Sequence, residues 1–162
     1  MKKIGFVGIG IMGEALIKGY LEAHGEERKN ISAYDSNGQK LEAVARKLGI
    51  ARQDSLEKLV EQSDIIVLAV KPFIFDTLLP EIAAYYRPNQ VLVSIAAGIS
   101  IGYIERTLGK SEAKVVRVMP NIPAMLNSGM SALSRNRFIT DEEFDPVLEL
   151  FCSVGKAEII PE

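Results

Sequence analysis

Ile4-Gly5-Phe6-Val7-Gly8-Ile9-Gly10-Ile11-Met12-Gly13 sets a short apolar run directly before a G-x-G-x-x-G turn. The residues that follow carry the spacing of an amphipathic helix, and Asp35 stands 22 residues beyond Gly13. Strand, glycine turn, helix and a later acidic residue together form a dinucleotide-binding fingerprint. Each glycine meets a separate need: Gly8 permits a sharp turn, Gly10 lets the backbone approach a pyrophosphate, and Gly13 lets the helix pack closely on the strand. The free N–H groups at the helix start then face the phosphates. Gly8, Ile9, Gly10, Ile11, Met12 and Gly13 are therefore expected to bind the cofactor, with Asp35 and Ser36 at the end of the second strand.

Two other uses of such a turn have to be weighed. A glycine-rich turn also serves as a plain strand-to-helix connection in an α/β domain. The spacing Gly8 to Gly13 also begins a mononucleotide phosphate-binding loop, but that motif continues with Lys and then Ser or Thr, where this chain has Glu14 and Ala15. The ATPase or GTPase reading therefore falls.

Bulk properties narrow the class further. A length of 162 residues suits one domain, and 48% hydrophobic with 25% charged residues is the composition of a globular protein with a real core. The net charge of −2 offers no broad footprint for nucleic acid or an anionic membrane, so small molecules or other subunits are the expected partners. The single cysteine, Cys152, cannot form an internal disulfide, and a strand occupies the N-terminus where a secretory leader would lie. The expectation is a cytoplasmic protein. Apolar stretches are of strand length, well short of the ~20 residues that cross a bilayer. One histidine and one cysteine argue against a zinc site of the usual kind, and no metal is expected.

Apolar runs at 4–7, 31–34, 65–70, 91–96 and 115–119 alternate with stretches of helical period. The pattern predicts an α/β, Rossmann-like doubly wound fold, a mostly parallel sheet with helices on both faces, over 1–162. The runs 64–70 and 91–96 are apolar at both alternating positions, as central strands are. Helices are predicted near 12–24, 38–48, 55–62, 73–86, 100–108 and 141–152, with Ser100 as an N-cap. Pro120 and Pro123 make 119–130 a shaped loop, followed by short strands near 131–134 and 157–160. The run from His24 to Lys29 reads as a solvated loop. His24 itself reads as a charge partner at the end of the first helix, and Cys152 as a buried small hydrophobe.

Four segments in order, Gly-Ile-Gly-Ile-Met-Gly (8–13), Ala-Val-Lys-Pro (69–72), Ser-Ile-Ala-Ala-Gly (94–98) and Arg-Val-Met-Pro-Asn-Ile-Pro (117–123), together resemble the N-terminal dinucleotide-binding domain of the pyrroline-5-carboxylate reductase family. The resemblance spans nearly the whole chain. It implies reduction of the imine of 1-pyrroline-5-carboxylate to L-proline with NADH or NADPH, the last step of proline biosynthesis. Ala69, Val70, Lys71 and Pro72 end a central strand, where open α/β sheets hold ligands, and family members use this turn to contact the coenzyme. Pro72 alone also accounts for a strand stop. Ala96, Ala97 and Gly98 leave room for a flat ring or serve tight packing. Asn121 offers its amide near the nicotinamide end or shapes a turn.

At the end of the second strand, a carboxylate at Asp35 accepts from both adenosine ribose hydroxyls and repels a 2′-phosphate, which argues for NADH. Many family members carry a small hydroxyl or a basic residue near this point and favour NADPH. Ser36, Asn37 and Lys40 lie close enough to accommodate a phosphate if Asp35 turns away. The resemblance also implies a following helical domain that forms an intertwined dimer and carries the substrate site, including a threonine hydroxyl for the ring nitrogen. No residue of this chain fills that role. The chain is therefore expected to hold a coenzyme site, no catalytic residue and no reductase activity alone, and to be a monomer where the full-length protein is a homo-oligomer. A hydroxyacid dehydrogenase of the 3-hydroxyisobutyrate type shares the fingerprint, but the Met-Pro-Asn-Ile-Pro loop favours the imine reductase. A nucleotide-sensing module is the non-enzymatic alternative.

Overall fold

The structure, a computed structural model, describes residues 1–121 and 128–162. Its strands are β1 (Ile4–Val7), β2 (Ile31–Tyr34), β3 (Ala51–Arg52), β4 (Ile65–Leu68), β5 (Val91–Ser94), β6 (Lys114–Met119), β7 (Gly129–Arg135) and β8 (Gly155–Ile159). Its helices are α1 (Ile11–Ala23), α2 (Gly38–Leu48), α3 (Leu56–Gln62), α4 (Phe75–Ala83), α5 (Ile101–Leu108) and α6 (Asp141–Cys152). One sheet runs β3-β2-β1-β4-β5-β6-β7-β8. It is parallel from β3 to β6, β7 is antiparallel to β6, and β8 is parallel to β7.

Apolar side chains on both faces of the central strands explain the double winding. In β4, Ile65 and Val67 join a core with α1, α2 and α6, whereas Ile66 and Leu68 join a second core with α3, α4 and α5. Neighbouring β5 divides the same way, with Val91 and Val93 on one face and Leu92 on the other. A strand sandwiched between helix layers has no solvent face and so reads as an unbroken apolar run.

Helix starts follow local chemistry. The Asn37, Ser55 and Ser100 side chains accept from the backbone N–H of Lys40, Lys58 and Tyr103, and Thr140 with Glu143 forms a reciprocal capping box. The N-cap of α1 is Gly10, which has no side-chain cap.

Several expectations need correction. The ladders of β4 and β5 end at Leu68 and Ser94, two residues short of the apolar runs, and the residues beyond them turn into a cleft. The predicted helix at 73–86 is a 3-10 turn, Pro72–Ile74, leading into α4. Residues Gly25–Asn30 are not a solvated loop but a 3-10 helix that buries Glu27, whose carboxylate accepts from Asn30 Nδ2 at 2.7 Å. Cys152 is exposed, because α6 buries Phe144, Val147, Leu150 and Phe151 and turns its thiol away from that stripe. His24 is the C-cap of α1, where a charge partner of the helix end is expected, and its Nε2 lies 3.5 Å from a Glu149 carboxylate oxygen.

Candidate coenzyme site

Strand order reverses between β1 and β4: the chain leaves β1 toward β2 and β3 on one side, and β4 to β6 build outward on the other. Connections diverge at such a point and open a crevice beyond the carboxyl ends of the strands. Here the crevice is a cleft of about 880 Å³. Gly8, Gly10, Ile11 and Met12 form its floor, and Asp35, Ser36 and Lys40 one end. Ala69 to Ile74 form a wall, and Ile95, Ala96, Ala97 and Pro120 the other end.

Each glycine of the floor has a geometric reason. Gly8 has φ +92°, and a Cβ there would stand 2.8 Å from the Ala69 carbonyl oxygen. Only glycine adopts that backbone without strain and fits that space. At Gly13, a Cβ would stand 2.8 Å from the Gly8 carbonyl oxygen, so α1 lies close on the turn. Gly10 differs from both: among the described residues a Cβ would meet nothing within 4 Å, so none of them demands glycine there. Its bare backbone faces the cleft beside the uncapped start of α1, where the first N–H groups lack intrahelical acceptors. That end of a helix favours an anion.

Two bonds fix the turn to the neighbouring strands: Gly8 N–H donates to the Tyr34 carbonyl and Ala69 N–H to that of Val7, both at 2.8 Å. Asp35 adds two more, its Oδ2 accepting from Ile9 N–H and its Oδ1 from Asn37 N–H, each at 2.8 Å. Beyond Ser36 lies a second, shallower pocket whose two guanidinium groups are already paired. Arg46 is bound to Glu42, and Arg52 to Glu42 and Asp54.

Of the residues singled out by sequence, Gly8, Gly10, Ile11, Met12, Asp35, Ser36, Ala69, Val70, Lys71, Pro72, Ala96 and Ala97 share the cleft. Ile9 and Gly13 sit beneath it, both buried. Gly98 lies past the lining with φ +74°. Asn121 Oδ1 accepts from Met130 N–H at 2.9 Å, joining the end of β6 to the start of β7. The rest of the Met-Pro-Asn-Ile-Pro loop, 122–127, lies outside the described residues.

Sequence reasoning missed the wall contributed by the start of α4. Phe73, Thr77 and Glu81 all line the cleft, and Phe73 is 79% exposed. Thr77 and Glu81 stand i, i+4 on one face of α4, a signal available in the sequence once the core stripe of Phe75, Leu78, Leu79 and Ile82 is set aside, and Phe73 precedes them in the 3-10 turn. Among the described residues, no group of His, Cys, Asp and Glu is placed to hold a metal ion, and no helix is long and apolar enough to cross a membrane.

Comparison with known proteins agrees with this geometry. Residues 3–98 match the family described as "NADP oxidoreductase coenzyme F420-dependent". The chain is 37% identical over 161 residues to the pyrroline-5-carboxylate reductase of Escherichia coli K12, covering 99% of this chain and 60% of that protein. Among solved structures, Plasmodium falciparum pyrroline carboxylate reductase with NADP bound superposes with a TM-score of 0.87 at 32% identity, over 99% of this chain and 58% of that one. A pyrroline-5-carboxylate reductase from Coxiella burnetii shares the fold with a TM-score of 0.92 at 24% identity, over 99% and 59%. The chain thus spans about three fifths of the length of the curated relatives it matches. With a matched segment that reaches from β1 through the end of β5, this chain belongs to the NADP oxidoreductase, coenzyme F420-dependent, family.

Proposed function

We propose that the cleft binds a nicotinamide dinucleotide and that the chain is the coenzyme-binding domain of a pyrroline-5-carboxylate reductase, which reduces 1-pyrroline-5-carboxylate to L-proline. The observation that carries this reading is the open backbone at Gly10 beside the uncapped start of α1, at the crossover between β1 and β4. The diphosphate lies over Gly10 and the first turn of α1, the adenosine ribose by Asp35, and the nicotinamide toward Ala96 and Ala97. Gly98 and Asn121 border the nicotinamide end, where Asn121 brings a side-chain amide that both donates and accepts. NADP in the family description and in the Plasmodium falciparum relative supports the coenzyme class.

When bound, the coenzyme supplies a hydride from C4 of the nicotinamide to the imine carbon. This chain's residues orient the coenzyme, and Ile95, Ala96, Ala97 and Pro120 offer the ring an apolar surface. Substrate binding and turnover belong to the longer protein, and 1–162 alone is inactive and monomeric in this proposal. The setting is cytoplasmic.

Between the two coenzymes the proposal favours NADH. Asp35 is held by two backbone N–H groups, so turning away from a 2′-phosphate breaks two hydrogen bonds to a charged group, worth about 1.5–3 kcal/mol each. The Arg46 and Arg52 guanidinium groups are paired with acidic side chains. Calorimetric titration of the chain with NADH and NADPH at one salt concentration and pH tests this. Tighter NADH binding is expected. Tighter NADPH binding overturns the preference, and binding of neither overturns the site. For the longer protein, turnover of pyrroline-5-carboxylate and not of 3-hydroxyisobutyrate is the expected result.

A further inference from the structure

Strand β2 grips the glycine turn twice. Its last residue, Tyr34, accepts from Gly8 N–H through the main chain, and the next residue, Asp35, accepts from Ile9 N–H through its carboxylate. Ile9 is anchored from its other end as well, because its side chain is fully buried in the core with Phe6 and Leu16. The Ile9 N–H therefore points at Asp35 and is withdrawn from any anion above the turn. The donors left for a diphosphate are those of the first turn of α1, beyond Gly10.

We infer that Asp35 is a positioning residue for the phosphate turn: its carboxylate fixes Ile9 and thereby sets the open backbone of Gly10 before it touches any ribose hydroxyl. The inference rests on the proposed coenzyme site and adds a second role to a residue whose usual one is ribose recognition. The two roles differ in sign. A carboxylate that only meets the ribose repels a nearby diphosphate, so its removal strengthens binding of an adenine nucleotide that lacks ribose hydroxyls. A carboxylate that holds the turn in shape weakens that same binding when removed, because the N–H groups lose their alignment and Ile9 N–H loses a charge-assisted bond.

The probe is 2′,3′-dideoxyadenosine 5′-diphosphate, titrated calorimetrically into the 162-residue chain and into Asp35→Ala and Asp35→Asn, with NADH in parallel. Asp35→Ala is expected to weaken the dideoxy nucleotide roughly tenfold, and Asp35→Asn less, since its amide oxygen still accepts one backbone N–H. In ¹⁵N-labelled protein the Ile9 amide proton is expected to shift upfield and lose exchange protection in Asp35→Ala, with the amides of β7 and β8 unchanged. Should Asp35→Ala fail to fold, Asp35→Asn carries the nucleotide readout, with a smaller loss of dideoxy nucleotide affinity expected and unchanged or tighter binding overturning the inference. Unchanged or tighter dideoxy nucleotide binding, or an unmoved Ile9 amide, overturns the inference while NADH binding by the wild type keeps the site. A wild-type chain that binds neither NADH nor the dideoxy nucleotide overturns the site itself, and the inference with it.

Discussion

Replacing Gly10 with Ala separates a glycine kept for a ligand from a glycine kept for the fold. Gly10 has φ −75° and ψ −174°, which alanine adopts freely, and the added methyl meets no atom of the described residues within 4 Å. Stiffening the unfolded chain favours the variant by about 0.4–1 kcal/mol, and placing Ala at an N-cap costs about as much. Stability should therefore stay within about 0.5 kcal/mol of wild type by urea denaturation. NADH, whose diphosphate approaches this backbone, should bind at least about tenfold more weakly, or about 1.4 kcal/mol, by calorimetry. Gly8→Ala is the control with the opposite profile. Its φ of +92° and the Ala69 carbonyl 2.8 Å away should cost about 2 kcal/mol or more, lowering the melting temperature by about 4–8 °C. A Gly10→Ala protein that melts with wild type and binds NADH as tightly refutes the close approach of a ligand at this backbone; one that unfolds refutes the open space.

Other expectations are independent of the coenzyme. Gln90 is fully buried, donating to the Val60 and Ser63 carbonyls and accepting from Arg87 N–H, so Gln90→Leu should cost about 2–4 kcal/mol in urea denaturation. Burial, reinforced by Glu27, Glu149 and Glu26, pushes the Tyr20 phenol up to about 12. Ultraviolet titration should show one tyrosine ionising near that value. Stability should fall as pH rises from 10 to 12, by roughly 2–3 kcal/mol, because only the unfolded chain ionises there; below pH 10 the group makes no difference. Cys152, exposed at the end of α6, should react with a thiol reagent in the folded protein without denaturant, and protection until unfolding would contradict its placement.

Much of the fold was legible because its central strands are sandwiched. Residues 65–68 and 91–94 have nowhere polar to point, so their apolar runs announce the sheet. The same runs misled at their ends, where Ala69-Val70 and Ile95-Ala96 stay apolar because they line the cleft after the ladder has stopped. Ala51–Arg52 is an exposed two-residue edge strand and carries no period to detect. Glu27 looked solvated because its burial depends on Asn30, a partner that composition does not reveal. Cys152 sits one residue past the buried Phe151, and phasing the helix on Phe144, Val147 and Leu150 would have turned it outward. At the site, the glycine spacing points to a dinucleotide only together with the strand before it, the helix after it and Asp35 beyond. The engagement of Asp35 by Ile9 is tertiary and appears only when β1 and β2 lie side by side, whereas its bond from Asn37 N–H is local, two residues along the chain.

Amide shift mapping of the ¹⁵N-labelled chain during titration with NADH tests the coenzyme site most directly. The account predicts one saturable site, with shifts concentrated at Gly10 to Gly13, Asp35 to Asn37, Ala69 to Lys71, and Ala96 and Ala97, and with β8 and the outer face of α6 unmoved. No shifts at millimolar NADH, or shifts centred away from the ends of β1 and β4, would contradict it.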